Sequence, residues 1–164
     1  MHDLNVTANQ FLSNYGLNLK IPIVINHRLR RALGMFVYNR KLKVPLQIEL
    51  SKMMLEIGDI EVIKDTLHHE CLHYALFIQN KPHDDEDEYF IKEAKRLNVG
   101  LTDEVFVGYK YVCKCSTCEN EFITEIKNHI NKKLIGSKYR TSCCKSDYQH
   151  LKTVVCDGVS ECVI

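Results

Sequence analysis

His69-Glu70-Cys71-Leu72-His73 sets two imidazoles four residues apart around a carboxylate. On a helix, positions i and i+4 share one face about a turn apart, so both rings can hold one Zn²⁺ while Glu70 sits beside its bound water. Zinc lowers the pKa of such a water toward neutrality and polarises a substrate carbonyl, but the water's proton needs a base that later passes it to the leaving amine. Glu70 is the residue type for that base. With 8 His in 164 residues, chance supplies about 0.03 arrays of this form, so the array is read as chemistry, that of zinc-dependent hydrolysis.

A catalytic zinc takes a third protein ligand and keeps one position open. The candidates follow Pro82: His83, Asp84, Asp85, Glu86, Asp87 and Glu88. Consecutive carboxylates also suit the start of a helix, where negative charge complements the macrodipole, and spacing alone does not choose among the six. His68 is rotated by about 100° from His69 and reads as a neighbour of the site or a support for it.

A second metal group is written in the cysteines. Cys71 stands alone, and the other seven fall between 113 and 162, which is not the spread of a secreted disulfide framework. Cys115-Ser116-Thr117-Cys118 is a CxxC knuckle, and Cys143-Cys144 follows at a distance that suits the two arms of a ribbon. Thiolates from both arms would close a tetrahedral structural zinc site and fold a segment too small for its own core. Cys113 and His150 are the substitutes if the adjacent pair cannot both reach, and Cys156 and Cys162 are expected as free tail thiols.

The elements that must position these groups follow from caps and periodicity. Asp59 after Gly58 can cap a helix, no Gly or Pro intervenes before Pro82, and Ile60, Ile63, Leu67, Tyr74 and Phe77 fall mostly on one side. Ala8 to Tyr15 reads as a first helix ended by Gly16. Residues 21–25, 34–38 and 44–50 read as strands, Ser51 to Ile57 as a short helix, and Tyr89 to Leu97 as an amphipathic helix ending near Asn98-Val99-Gly100. This is an α+β plan: a domain over 1–105, a small appended module over 106–155 and a tail over 156–164.

Composition bounds the partners. The chain is 45% apolar with net charge +1, enough for one core and one small module. It has no apolar run of membrane-spanning length and no basic-then-apolar start, so a soluble cytoplasmic protein without membrane partners is expected. Arg28, Arg30, Arg31, Arg40, Lys41 and Lys43 lie in a stretch without acids, and 109–152 holds nine Lys or Arg against four Asp or Glu. Such surfaces can track a phosphate backbone, with Tyr109, Tyr111, Phe122 and Tyr139 available for base stacking.

Several ordered pieces carry a family resemblance: Ala8-Asn9-Gln10-Phe11-Leu12, Tyr15-Gly16, Ile21-Pro22-Ile23 with Asn26, Arg28-Leu29, Leu33-Gly34, Phe36, Ile48-Glu49-Leu50-Ser51 and the run Leu67 to Leu76. Together they resemble the SprT-like proteins of Gram-positive bacteria and their phages, relatives of the Spartan proteases, from about residue 8 to about 100 and less closely to about 145. The resemblance implies a small gluzincin-like metallopeptidase domain followed by a zinc ribbon. It gives His69 and His73 as zinc ligands, Glu70 as the catalytic acid/base, protein substrates and an association with DNA.

The family's third ligand is a His in a pattern like Gly-His-x-x-Phe. Aligned on Phe90, that pattern lands here on a carboxylate, with Asp87 favoured over His83 and Glu86. The expected cofactors are therefore one catalytic and one structural Zn²⁺. The alternative is a non-enzymatic, zinc-containing nucleic-acid-binding module.

Overall fold

Asp59 accepts the Glu61 backbone N–H and opens a 19-residue helix, α3 (Ile60–Ile78), that carries the whole HExxH array. The computed structural model describes residues 3–29, 32–101 and 105–159. Arg30, Arg31 and Cys162 lie outside them. The chain is mixed α/β and divides into two compact units, Met1–Phe106 and Val107–Ile164.

In the first unit, α1 (Leu4–Leu12) starts earlier than its apolar spacing suggests, because the Asp3 carboxylate accepts the Asn5 and Val6 N–H groups. A 3₁₀ turn, Ser13–Tyr15, ends at Gly16, whose φ of 65° is the left-handed conformation that glycine adopts without cost. Three strands follow, β1 (Ile23–Asn26), β2 (Gly34–Asn39) and β3 (Val44–Ser51), then α2 (Lys52–Ile57). The sheet order is β1-β3-β2, with β1 parallel and β2 antiparallel to β3. β2 is thus an edge strand, with no strand on its outer side among the described residues.

The helix α3 is buried on more than one stripe because it is covered on several sides. Leu67, Leu72 and Leu76 are fully buried, each contributing about 1.5–3 kcal/mol relative to exposure. On one side the Phe11 ring of α1 stacks on His68 at 4.7 Å. His68 therefore joins α1 to α3 and does not support the metal site, and burial lowers its pKa. On the sheet side Phe36 and Tyr38 of β2 meet Phe77 at 5.5 and 4.8 Å, and Tyr74 meets Phe36 edge-on at 6.1 Å. This aromatic packing fixes β2 against α3 and so sets the wall of the cleft described below.

After α3 the chain turns at Asn80, which has a positive φ of 53°, and enters α4 (Glu88–Leu97). Phe90 and Ala94, four apart, are its buried face, Lys95 and Arg96 occupy its last turn, and Asn98 takes the left-handed C-terminal position.

The second unit is an antiparallel sheet of order β5-β4-β6, formed by β4 (Val107–Cys115), β5 (Glu121–Thr124) and β6 (Tyr148–Asp157). Two expectations change here. Tyr111 is only 6% exposed, so it packs within the sheet and is not a stacking surface. Cys156 pairs with Gly108 in the β6–β4 ladder and is buried and disulfide-bonded, not a free thiol in a tail beginning at 156. No helix among the described residues is long and apolar enough to cross a membrane.

Candidate metal centre

The two imidazoles of α3 converge. His69 Nε2 lies 2.9 Å from His73 Nε2, and Asp85 Oδ1 lies 2.9 Å from the first and 3.3 Å from the second. Each ring is aimed by a main-chain carbonyl: His69 Nδ1 meets Gly100 O at 2.9 Å, and His73 Nδ1 meets His83 O. Carbonyl oxygens only accept, so each Nδ1 carries the ring proton and each Nε2 presents a lone pair. Phe90 of α4 stacks on His73 at 4.3 Å and meets His69 edge-on at 5.2 Å, closing one side.

The donor set fits a divalent cation. With both rings neutral, two lone pairs and a carboxylate oxygen crowd within 3.3 Å, an arrangement that calls for a proton or a cation among them. Ligands about 2.0–2.1 Å from a tetrahedral zinc stand about 3.3 Å apart, close to this spacing. The electrostatics agree. Burial pulls the His69 pKa down, but the Asp85 hydrogen bond, the Glu70 charge and the Gly100 carbonyl together raise it above its ordinary value. The hydrogen bonds to His69 and His73 hold the Asp85 carboxyl well below the usual carboxylate range. A pocket that favours both a protonated imidazole and an ionised carboxylate is one that favours positive charge.

The side chain that the structure brings to the imidazole pair is thus Asp85, whereas the expected Asp87 and the alternatives His83 and Glu86 stand outside that group. Asp87 is the N-terminal flank of α4, and its Oδ2 accepts the Asp84 N–H at 2.9 Å while its own N–H binds Asp84 O. That turn faces the Asp87 side chain back into the loop and carries Asp85 over the imidazole pair. His83 contributes its carbonyl to His73, while its ring packs edge-on against Tyr38 and Phe77 and its Nδ1 meets Lys81 O. Glu86 lines the cleft but is not in the donor group.

Glu70 is 4% exposed and lines the same cleft, of about 1030 Å³, with Gly34, Phe36, Tyr38, Asp65, Asp85 and Gly100. Burial raises its pKa; the two imidazoles and the Phe36 N–H act in the opposite sense. Gly34 has a role that its sequence position does not announce. A Cβ there would lie 2.7 Å from Glu70 Oε1 and 2.8 Å from both Glu70 Cγ and Thr66 Cγ2. Gly34→Ala should therefore displace the Glu70 carboxyl at a stability cost of about 1–3 kcal/mol, which thermal unfolding of that variant checks.

In the second unit, Cys115, Cys118, Cys143 and Cys144 present sulfurs all within 4.8 Å of one another, with Cys118 and Cys143 3.5 Å apart. Ser146 Oγ lies 3.2 Å from Cys115 Sγ, and Thr117 N–H points at it. The Cys118 backbone N–H, then Ser146, push the Cys115 thiol well below its ordinary range, the environment of a thiolate that binds metal. The substitutes Cys113 and His150 sit opposite each other in the β4–β6 ladder, apart from this group.

The model of the SprT-like family matches residues 1–105. A curated relative, "Protein SprT-like" of Staphylococcus carnosus (strain TM300), is 26% identical over 128 residues, covering 76% of this chain and 82% of that protein.

Proposed function

Because this chain belongs to the SprT-like family, we propose that it is a zinc-dependent metallopeptidase that hydrolyses peptide bonds in protein substrates. The observation that carries the reading is the convergence of His69, His73 and Asp85 beside a buried Glu70 in an open cleft. Zinc held there would act as a Lewis acid and lower the pKa of water at its open position.

The chain's own residues supply the rest. Glu70 takes the proton of the attacking water and returns it to the leaving amine, and its burial makes it a stronger base than an exposed carboxylate. The β2 edge, whose Gly34, Met35, Phe36 and Tyr38 line the cleft, offers main-chain groups to an extended peptide. On this reading the first unit is a gluzincin-like domain and the second a zinc ribbon held by Cys115, Cys118, Cys143 and Cys144.

The test is cleavage of a labelled unfolded polypeptide. Cleavage should disappear on chelation and return with added Zn²⁺; a zinc-loaded chain that cleaves nothing, with or without added DNA, overturns the reading.

A second reading is nucleic-acid binding by the Val107–Ile164 unit. It is favoured by a groove lined by Phe122, His129, Lys138, Tyr139 and Arg140, where aromatic and cationic groups alternate as in single-strand binding. Salt-dependent DNA binding without proteolysis would select it.

A further inference from the structure

One turn ahead of His69 on α3, Asp65 directs its carboxylate to the backbone that leaves α4. Its Oδ1 accepts the Gly100 N–H at 2.9 Å, and the carbonyl of that same Gly100 accepts from His69 Nδ1, also at 2.9 Å. A single glycine thus connects a carboxylate to a ring of the metal-facing pair. The approach is close: a Cβ on Gly100 would stand 2.3 Å from Asp65 Oδ2.

The path of the chain explains why Gly100 needs this anchor. α4 ends at Asn98, with φ 53°, and the Val99 N–H bonds back to Ala94 O while Val99 is buried. These contacts hold the chain as far as Val99. Beyond it, Gly100 is held by its bonds to Asp65 and His69.

We propose that Asp65 is a positioning residue: by clamping the Gly100 peptide it fixes the carbonyl that aims His69, and so sets how tightly His69, His73 and Asp85 hold a divalent cation. The inference rests on the metal reading above. Asp65 is not one of the three donors, so it acts through the main chain. Its effect depends on an acceptor oxygen at that place and not on negative charge. Asp65→Asn retains such an oxygen, whereas Asp65→Ala removes it. Gly100→Ala keeps every peptide group but drives the carboxylate away.

The experiment titrates Co²⁺ into the metal-stripped full chain against a competing chelator. Thiolate charge-transfer bands report the cysteine group, and weaker d–d bands report the imidazole site. Asp65→Ala and Gly100→Ala should weaken binding at the imidazole site about 10- to 100-fold and alter its d–d bands, with the thiolate bands unchanged. Asp65→Asn should stay near the parent in both.

Parent-like affinity and spectrum in Asp65→Ala overturn the inference, as does an Asp65→Asn as weak as Asp65→Ala. Should Asp65→Ala not fold, Gly100→Ala against Asp65→Asn makes the same comparison. A parent chain that binds no Co²⁺ at the imidazoles overturns the metal reading itself and this inference with it. A parent that binds, with all variants unchanged, sinks this inference alone.

Discussion

Glu70→Gln is expected to lower kcat for peptide hydrolysis by roughly 10²–10⁴ while the chain keeps its full complement of metal. The substitution preserves shape and leaves the donor group of His69, His73 and Asp85 intact, but an amide cannot take a proton from water. Stability should not suffer. Glu70 is buried, and that burial raises its pKa, so a neutral side chain there escapes the desolvation that penalises the carboxylate. KM should change little, since the loss falls on the chemical step. Kinetics together with zinc content check the result. An unaltered kcat would remove Glu70 from the role of base, whereas loss of metal would make it a support for the ligands.

The second large effect distinguishes two aspartates two residues apart. Asp85→Ala should weaken metal binding at the imidazoles by more than about 100-fold, because even the loss of a partner that only orients a ligand costs about 10–100-fold. The Asp85 side chain is 60% exposed, so its removal should leave thermal stability nearly unchanged. Asp87→Ala should behave in the opposite way. It loses the hydrogen bond from Asp84 N–H and about 1 kcal/mol, with metal affinity retained. Chelator competition and thermal unfolding on both variants measure the two effects, and the reverse order of affinities would return the third ligand to Asp87.

That pair also shows where reading the chain succeeds and where it stops. The α3 helix is legible because each signal for it is local: a capping Asp59, a long stretch without Gly or Pro, and apolar residues at helical spacing. The cysteine group is legible for a related reason, since a CxxC knuckle fixes two thiols within one turn. Which carboxylate meets the imidazoles depends on a tight turn, closed by the bond from Asp87 N–H to Asp84 O. Counting back from Phe90 finds the loop but stops two residues short of the carboxylate that lies beside the rings.

The buried state of Tyr111, the close approach of Gly34 to Glu70 and the Asp65–Gly100 contact join residues far apart in the chain. Nothing in their immediate neighbours announces them. His68 illustrates the same limit in the other direction: adjacent to a metal-facing imidazole in sequence, it belongs instead to the packing of α1.

Both imidazoles are held in their working tautomer by carbonyl oxygens, those of Gly100 and His83. A carbonyl is supplied by whatever amino acid occupies the position, so at 83 evolution is free to exchange the side chain without disturbing the ring that leans on it. What such an arrangement does not tolerate is a change in loop length. One residue gained or lost between α3 and α4 would shift the His83 oxygen and Asp85 along by a place, and the site would lose its aim although each of its side chains was still encoded.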